Sequence, residues 1–243
     1  MTHTGHVRAV NEDAIAVSAL DEPTLVRWTG DMAVDEGWAL VADGIGGHVA
    51  GEVASKIVVE LLRPVMGSLT NRHEIALAVN AANDGLYATM ARHPAFEGMG
   101  TTIAGVIIRG DDALAFNVGD SRIYMQTQGK LRQISEDDVV DSNMLTQCLG
   151  GFVRSTQLDP HVRKIRLPPS AKLLLCSDGL TDIIADDDIA ALLALVEAEP
   201  AEILVQAALD AGGIDNVSAV VIEPLSNWKL SGNRRTKDAV ARG

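Results

Sequence analysis

Four aspartates, widely separated along the chain, stand at or beside the ends of short apolar runs. They are Asp43 in WALVADG, Asp120 in ALAFNVGDSR, Asp178 in KLLLCSDG and Asp215 at the head of GGIDNVSAVVI. A run rich in Val, Leu and Ile that meets Asp-Gly or Gly-Asp reads as a buried strand breaking into a tight turn. One such aspartate is ordinary turn chemistry, because Asp bonds its own backbone and tolerates turn geometry. Four of them suggest strand ends converging on one place. Gathered carboxylates repel each other unless a cation sits among them. The pattern therefore points to a metalloenzyme with an all-oxygen site, which suits Mg²⁺ or Mn²⁺.

The elements that would position these aspartates can be read from the apolar pattern. Residues Ala14 to Ala19, Trp38 to Ala42, Thr102 to Ile108, Ala113 to Val118, Arg122 to Gln126, Leu131 to Ile134, Lys164 to Leu167, Lys172 to Ser177 and Val217 to Glu223 read as strands. Several are continuous apolar runs, as strands buried on both faces require. Val49 to Met66 places Val53, Ile57, Leu61 and Val65 at a spacing of four, one stripe of a helix. Glu74 to Arg92 does the same with Ile75, Val79, Leu86 and Met90, and Pro94 ends it. A second helix pair is expected near the C-terminus. Asp186, Asp187 and Asp188 place negative charge at the start of Ile189 to Glu197, and Pro200 opens a helix that closes at Gly212-Gly213. No alternating βαβ units appear, which argues against a dinucleotide-binding sheet. The expected fold is α+β: two packed, mainly antiparallel sheets flanked by helix pairs on both sides, an αββα sandwich.

Composition narrows the function. The chain has 243 residues, 47% of them hydrophobic but only 3% aromatic, so its core must be aliphatic. A formal net charge of -13 disfavours nucleic acid and anionic membrane as partners. Cys148 and Cys176 lie in apolar contexts without metal-ligand spacing and read as buried free thiols. The N-terminal segment has no apolar signal region, and the longest apolar stretch, Ile189 to Val196, is far short of the roughly 18 residues a membrane span needs. The expectation is a cytoplasmic protein with one domain over 1–225 and a flexible, polar and basic tail over 226–243.

Seven blocks then occur in order: GHVRAVNEDA, ALVADGIGGHVAGEVAS, GMGTTIAGVII, NVGDSRIYM, LTQCLGG, LLLCSDGLTDII and GGIDNVSAVVI. Together they resemble the metal-dependent serine/threonine protein phosphatases of the type 2C (PPM) family in their compact bacterial form. The resemblance implies hydrolysis of phosphoserine and phosphothreonine on proteins, opposing a bacterial Ser/Thr kinase. The slow hydrolysis of phosphate monoesters is met by two divalent cations about 4 Å apart that share a water. By resemblance, Asp43 bridges both ions and Gly44 offers a backbone carbonyl, while Asp178 and Asp215 ligate the other ion. Glu12 and Asp13 hold water around the ions, Asp120 corresponds to a ligand of a third ion, and Arg8 grips the substrate phosphate as an always-charged fork.

Other residues receive plainer readings. Arg122 is expected to form a surface pair, and Asn11 and Asn216 to be turn or strand-end hydrogen bonders. Gly46, Gly47 and Gly51 read as backbone necessities where a loop meets a helix, because GIGGHVAG lacks the Gly-Lys-Ser/Thr of a phosphate loop. His48 reads as structural, and the remaining histidines show no ligand spacing. Two departures from the family stand out. Ile45 occupies the position where some eukaryotic members carry a His, and only Ser135 to Met144 fills the place of a flap of a few dozen residues. A more open site is expected. The alternative function is a non-catalytic phosphoprotein-binding module on the same fold, which the intact metal aspartates argue against.

Overall fold

The structure, a computed structural model, describes residues 1–18, 36–45, 49–140, 144–195 and 199–223. The readings made for Gly46, Gly47, His48 and the tail over 226–243 fall outside these residues. The chain begins with β1 (Thr2–His3), β2 (Ala14–Val17), β3 (Glu36–Ala42) and β4 (Gly44–Ile45), then the helices α1 (Val49–Leu62) and α2 (Arg72–Arg92). Strands β5 (Gly100–Thr101), β6 (Ile103–Arg109), β7 (Asp112–Val118), β8 (Arg122–Thr127) and β9 (Lys130–Gln133) follow. After them come β10 (Val139–Val140), β11 (Met144–Leu145), β12 (Leu149–Gly150), β13 (His161–Arg166) and β14 (Lys172–Cys176). The helices α3 (Asp178–Thr181), α4 (Asp186–Leu193) and α5 (Pro200–Asp210) precede the last strand, β15 (Val217–Ile222).

Ten of the strands form two five-stranded antiparallel sheets, ordered β1-β15-β14-β8-β9 and β13-β7-β6-β3-β2, and the remaining short ones form a three-stranded sheet β12-β5-β4 and the pair β10-β11. Three apolar layers hold the sandwich together, and the side-chain period of two assigns each strand's residues to them. In β3, Leu40 and Ala42 face α1 and α2, whereas Ala39 and Val41 face the other sheet. In β14, Leu173 and Leu175 point between the sheets, whereas Leu174 and Cys176 point to α4 and α5. Strands buried on both faces explain why the apolar runs were continuous. The expected αββα sandwich is the observed one. The β8–β9 hairpin turns through Gln128 and Gly129, both at positive φ (52° and 76°), a geometry whose twist suits a two-residue hairpin.

All nine expected strands are present, with small shifts at their ends. The largest is β13, which begins at His161 and not at Lys164. It is a sheet edge with exposed polar residues, so its register with β7, and not its hydrophobicity, defines its length. The stripe assigned to α1 needs correction. Leu61 and Val65 are 44% and 37% exposed, and the buried stripe is Ala54, Val58 and Leu62, one position over. This helix carries apolar residues on adjacent stripes, and contact with α2 and the sheet selects between them. Leu61 instead lies over Gly85 of α2, where an added Cβ would stand 2.6 Å from its Cδ1. The α1 helix ends at Leu62, earlier than expected, and α4 starts at Asp186, earlier than expected, so the three aspartates form its first turn. Among the described residues no helix is long and apolar enough to cross a membrane.

Candidate active site

Register brings the acidic residues to one end of the sandwich. In the β2–β3 pair Ala14 faces Ala42, which sets Asp13 beside Asp43 as the chain leaves both strands. In the β6–β7 pair Ile103 faces Val118, so the turn carrying Asp120 emerges at the same end. In the other sheet Cys176 faces Ala219, which sets Ser177 opposite Ser218, with Asp178 and Asp215 just beyond.

Hydroxyls stitch these ends together. The Asp43 N–H donates to Thr102 Oγ1 (3.1 Å), and the Asp43 carbonyl accepts from the Thr102 N–H (2.9 Å) and Thr101 Oγ1 (2.8 Å). Thr102 Oγ1 also shares a hydrogen bond with Ser121 Oγ at 2.7 Å, which joins the turn of Asp43 to the turn of Asp120. Asp13 spans the two sheets: its Oδ2 accepts from Ser177 Oγ (2.8 Å) and Ser218 Oγ (2.6 Å). Asn216 accepts the Glu12 N–H (2.8 Å) and donates to the carbonyls of Thr4 (2.8 Å) and Val10 (3.0 Å), so it fixes the N-terminal loop against β15. That is the strand-end role expected of it. Arg122 pairs with Asp137 at 2.8 Å and donates to Tyr124 Oη, and is partly buried in doing so.

Two close approaches require glycine. A Cβ on Gly44 would lie 2.3 Å from the Gly51 carbonyl oxygen and 2.7 Å from that of Glu12. A Cβ on Gly51 would lie 2.9 Å from Glu12 Oε2, so the start of α1 closes directly over the Glu12 side chain. Gly51 is thus a backbone necessity, as its place at a loop–helix junction suggested.

The electrostatics are those of crowded carboxyls. Burial raises the Asp43 carboxyl well above the usual range, and the charges of Asp13 and Asp178 add to the effect. Asp43 and Asp178 lie within hydrogen-bonding reach of each other, an approach two carboxylates make only with a proton or a cation between them. Burial pushes Asp13 up to about 7 against the opposing hydrogen bonds of Ser218 and Ser177. Burial, with Asp178 nearby, pushes Asp120 up to about 6. Arg8 lies at the rim, about half exposed, and donates to Asp215 Oδ2 at 2.6 Å.

These shifts set a sign for stability. Asp13 and Asp120 titrate higher in the fold than the roughly 3.9 of an unfolded Asp. Their contribution is full below that value and is lost as pH rises through about 6 and about 7. With EDTA present, Tm should fall between pH 5 and pH 8. With millimolar Mn²⁺ the stabilisation should grow over the same range, since a cation binds the ionised carboxylates. Thermal melts at several pH values check both; a metal-free Tm that rises with pH would contradict the assignment.

The residues fit a hard divalent cation. Asp13 Oδ1 is buried without a hydrogen-bond partner, Asp43 and Asp178 face each other, and the donor set is carboxylate and carbonyl oxygen. Among the described residues no three His, Cys, Asp or Glu groups stand close enough to hold one ion, and the Asp215 carboxylate is turned to Arg8. Sequence reasoning missed Ser177, Ser218 and Thr102, because a single hydroxyl beside a strand carries no periodic signal. It also missed Asp138, which is buried beside the Asp120 turn. None of the site residues lines the cleft of about 450 Å³ between β9 and β13, which is formed by Arg132, Gln133, Ile134, Arg163, Lys164 and Ile165. Both cysteines are buried free thiols.

The chain as a whole is similar to known proteins. The protein phosphatase 2C model matches residues 8–210. The serine/threonine protein phosphatase PstP of Mycobacterium tuberculosis is 33% identical over 227 residues, covering 85% of this chain and 44% of that protein. The chain thus spans less than half the length of that relative. The serine/threonine phosphatase stp of Listeria monocytogenes is 30% identical over 212 residues, covering 76% of this chain and 83% of that protein. Among solved structures, the PstP/Ppp phosphatase of M. tuberculosis superposes with a TM-score of 0.76 at 30% identity, covering 92% of this chain and 97% of that chain. The PstP catalytic domain in complex with two manganese ions superposes with a TM-score of 0.75 at 30% identity, covering 92% of this chain and 96% of that chain.

Proposed function

Because this chain belongs to the protein phosphatase 2C family, we propose that it hydrolyses phosphoserine and phosphothreonine on protein substrates in a metal-dependent reaction. The observation that carries the reading is the meeting of the Asp43 and Asp178 carboxyls where the two sheets end, with Arg8 at the rim. In this reading Asp43, the Gly44 carbonyl, Asp178 and Asp215 hold two ions. Manganese is the metal of the PstP complex, and Mg²⁺ satisfies the same oxygen donors. Asp120 adds a ligand for a third ion. When bound, the ions supply a water of lowered pKa and neutralise phosphoryl charge.

The chain's own groups do the rest. Arg8 presents its guanidinium beside the cluster and takes the phosphoryl oxygens of the substrate, exchanging its contact with Asp215 for them. Ser177 and Ser218 hold Asp13 through one oxygen only, which leaves the other to accept from water ordered in the site. Glu12, closed in by Gly51 and tied by its N–H to Asn216, adds a further carboxylate near Arg8. The rigid strand ends keep these acceptors in place with little reorganisation. A phosphorylated protein and the Ser/Thr kinase that made it are the implied partners, and the cytoplasm is the implied compartment.

The test is turnover of a phosphothreonine peptide with Mn²⁺ and with EDTA. Release of phosphate only with Mn²⁺ is expected; binding without turnover would favour the non-catalytic reading. Arg8→Lys keeps the charge but loses the fork, so KM should rise by about tenfold or more, the worth of a charge-assisted hydrogen bond. An unchanged KM would remove Arg8 from phosphate binding.

A further inference from the structure

The short acidic segment that follows β9 is bound tightly to the Asp120 turn. Asp138 is its anchor, 6% exposed. Asp138 Oδ2 accepts the Gly119 N–H at 2.9 Å, and the Asp138 N–H donates to the Gly119 carbonyl at 3.1 Å, so the two residues are locked in both directions. Oδ1 accepts from Gln147 Nε2 at 2.8 Å and pairs with His161 Nε2 at 2.9 Å. The Asp138 carbonyl takes the Thr146 N–H at 2.8 Å. One buried carboxylate thus ties the segment, the Asp120 turn, the LTQCLGG block and the edge strand β13.

Neighbouring residues repeat the clamp. Asn117 Nδ2 donates to the carbonyls of Gly119 (3.2 Å) and Glu136 (2.7 Å), and Asn117 Oδ1 accepts the Glu136 N–H (3.2 Å). Asp137 holds Arg122 at 2.8 Å on the far side of the turn and accepts from Gln133 Nε2 at 2.6 Å. From the opposite side the turn rests on Thr102: Gly119 has φ +96°, and a Cβ there would stand 2.6 Å from Thr102 Cγ2. The residue that follows, Asp120, is therefore carried on a turn fixed from both sides.

We infer that residues 135–140 form a fixed brace for Asp120, with Asp138 as the positioning residue that sets the affinity of the Asp120 ion site. The inference rests on the reading of Asp120 as a ligand. A carboxylate that must meet an ion within a few tenths of an ångström depends on what holds its backbone, and loss of such support typically weakens metal binding by about 10–100-fold. The brace also assigns a role to the short acidic segment: it orients a ligand of the proposed site.

The experiment compares Asp120→Asn, Asp138→Ala and the unaltered full chain. Mn²⁺ binding is followed by calorimetry, and steady-state hydrolysis of an aryl phosphate is measured over a Mn²⁺ titration. Both variants should raise the Mn²⁺ concentration that half-saturates the weaker binding phase, by about tenfold or more for Asp138→Ala. In Asp138→Ala, KM for the aryl phosphate at saturating Mn²⁺ should stay unchanged. A merely structural Asp138 would lower Tm equally with and without Mn²⁺ and leave half-saturation where it was, which overturns the inference if Asp120→Asn does shift it. No shift in Asp120→Asn itself would overturn the Asp120 reading, and the brace with it. If Asp138→Ala does not fold, Asp138→Ser carries the same expectation, because its shorter side chain no longer reaches the Gly119 N–H.

Discussion

Asp178→Asn should lower Mn²⁺-dependent hydrolysis of an aryl phosphate by at least about a thousandfold, roughly 4 kcal/mol of barrier, while leaving the fold intact. Asp178 opens α3 directly after β14, half-buried and in reach of Asp43. Burial raises its carboxyl, as does the charge of Asp182 and Asp215. In the proposed site it would hold one of the two core ions together with Asp215, so its loss removes a charged ligand from the metal pair. An amide keeps the size and one acceptor oxygen but removes the charge that offsets the cations. Metal-free stability should hold or rise, because one of two facing carboxyls is gone and a buried like-charge contact with it. The stabilisation by Mn²⁺ seen in the parent should shrink in parallel with activity. Melting curves with and without Mn²⁺, together with kcat, measure both halves. Wild-type turnover in this variant would sink the two-metal assignment.

The same site shows which features the sequence carried. The strands that end at Asp43 and Asp178 were legible because β3 and β14 are buried on both faces and cannot afford polar residues until the chain breaks out at Asp. The αββα order followed from where the helix pairs fall between those runs. What the sequence withheld was contact over long separation. Asp13 meets hydroxyls 164 and 205 residues away, and Arg8 meets a carboxylate 207 residues away; nothing local marks either pairing. The two-residue strands β1, β4 and β5 have no period to read, although β5 holds Asp43 from one side. The stripe of α1 was read one position off because two neighbouring stripes are equally apolar, and only the partner surface distinguishes them. Asp138 was passed over because an acidic run in a polar segment reads as solvated surface, whereas its neighbours here bury it.

Gly179→Ala tests whether the site depends on that long-range packing, and it should fail differently from Asp178→Asn. Gly179 is buried in the first turn of α3, and its constraint is space. An added Cβ would stand 1.9 Å from the Asn216 carbonyl oxygen and 2.9 Å from its carbon, both backbone atoms that cannot turn aside. Either α3 or the 215–216 loop must move. The first shifts Asp178; the second shifts Asp215 and loosens Asn216, which holds Glu12, Thr4 and Val10. Overpacking of this kind costs about 1–3 kcal/mol and occasionally more, which for a domain of this size lowers Tm by several degrees, about 2–4 °C per kcal/mol. The loss should appear without metal as well as with it, whereas Asp178→Asn should leave the metal-free protein unharmed. Activity should fall by two orders of magnitude or more, since an error near 1 Å in a catalytic group costs about that much, and excess Mn²⁺ should not restore it. Wild-type melting and turnover in Gly179→Ala would mean that α3 and the Asp215 loop adjust independently, and that the ligands need not be held by this contact.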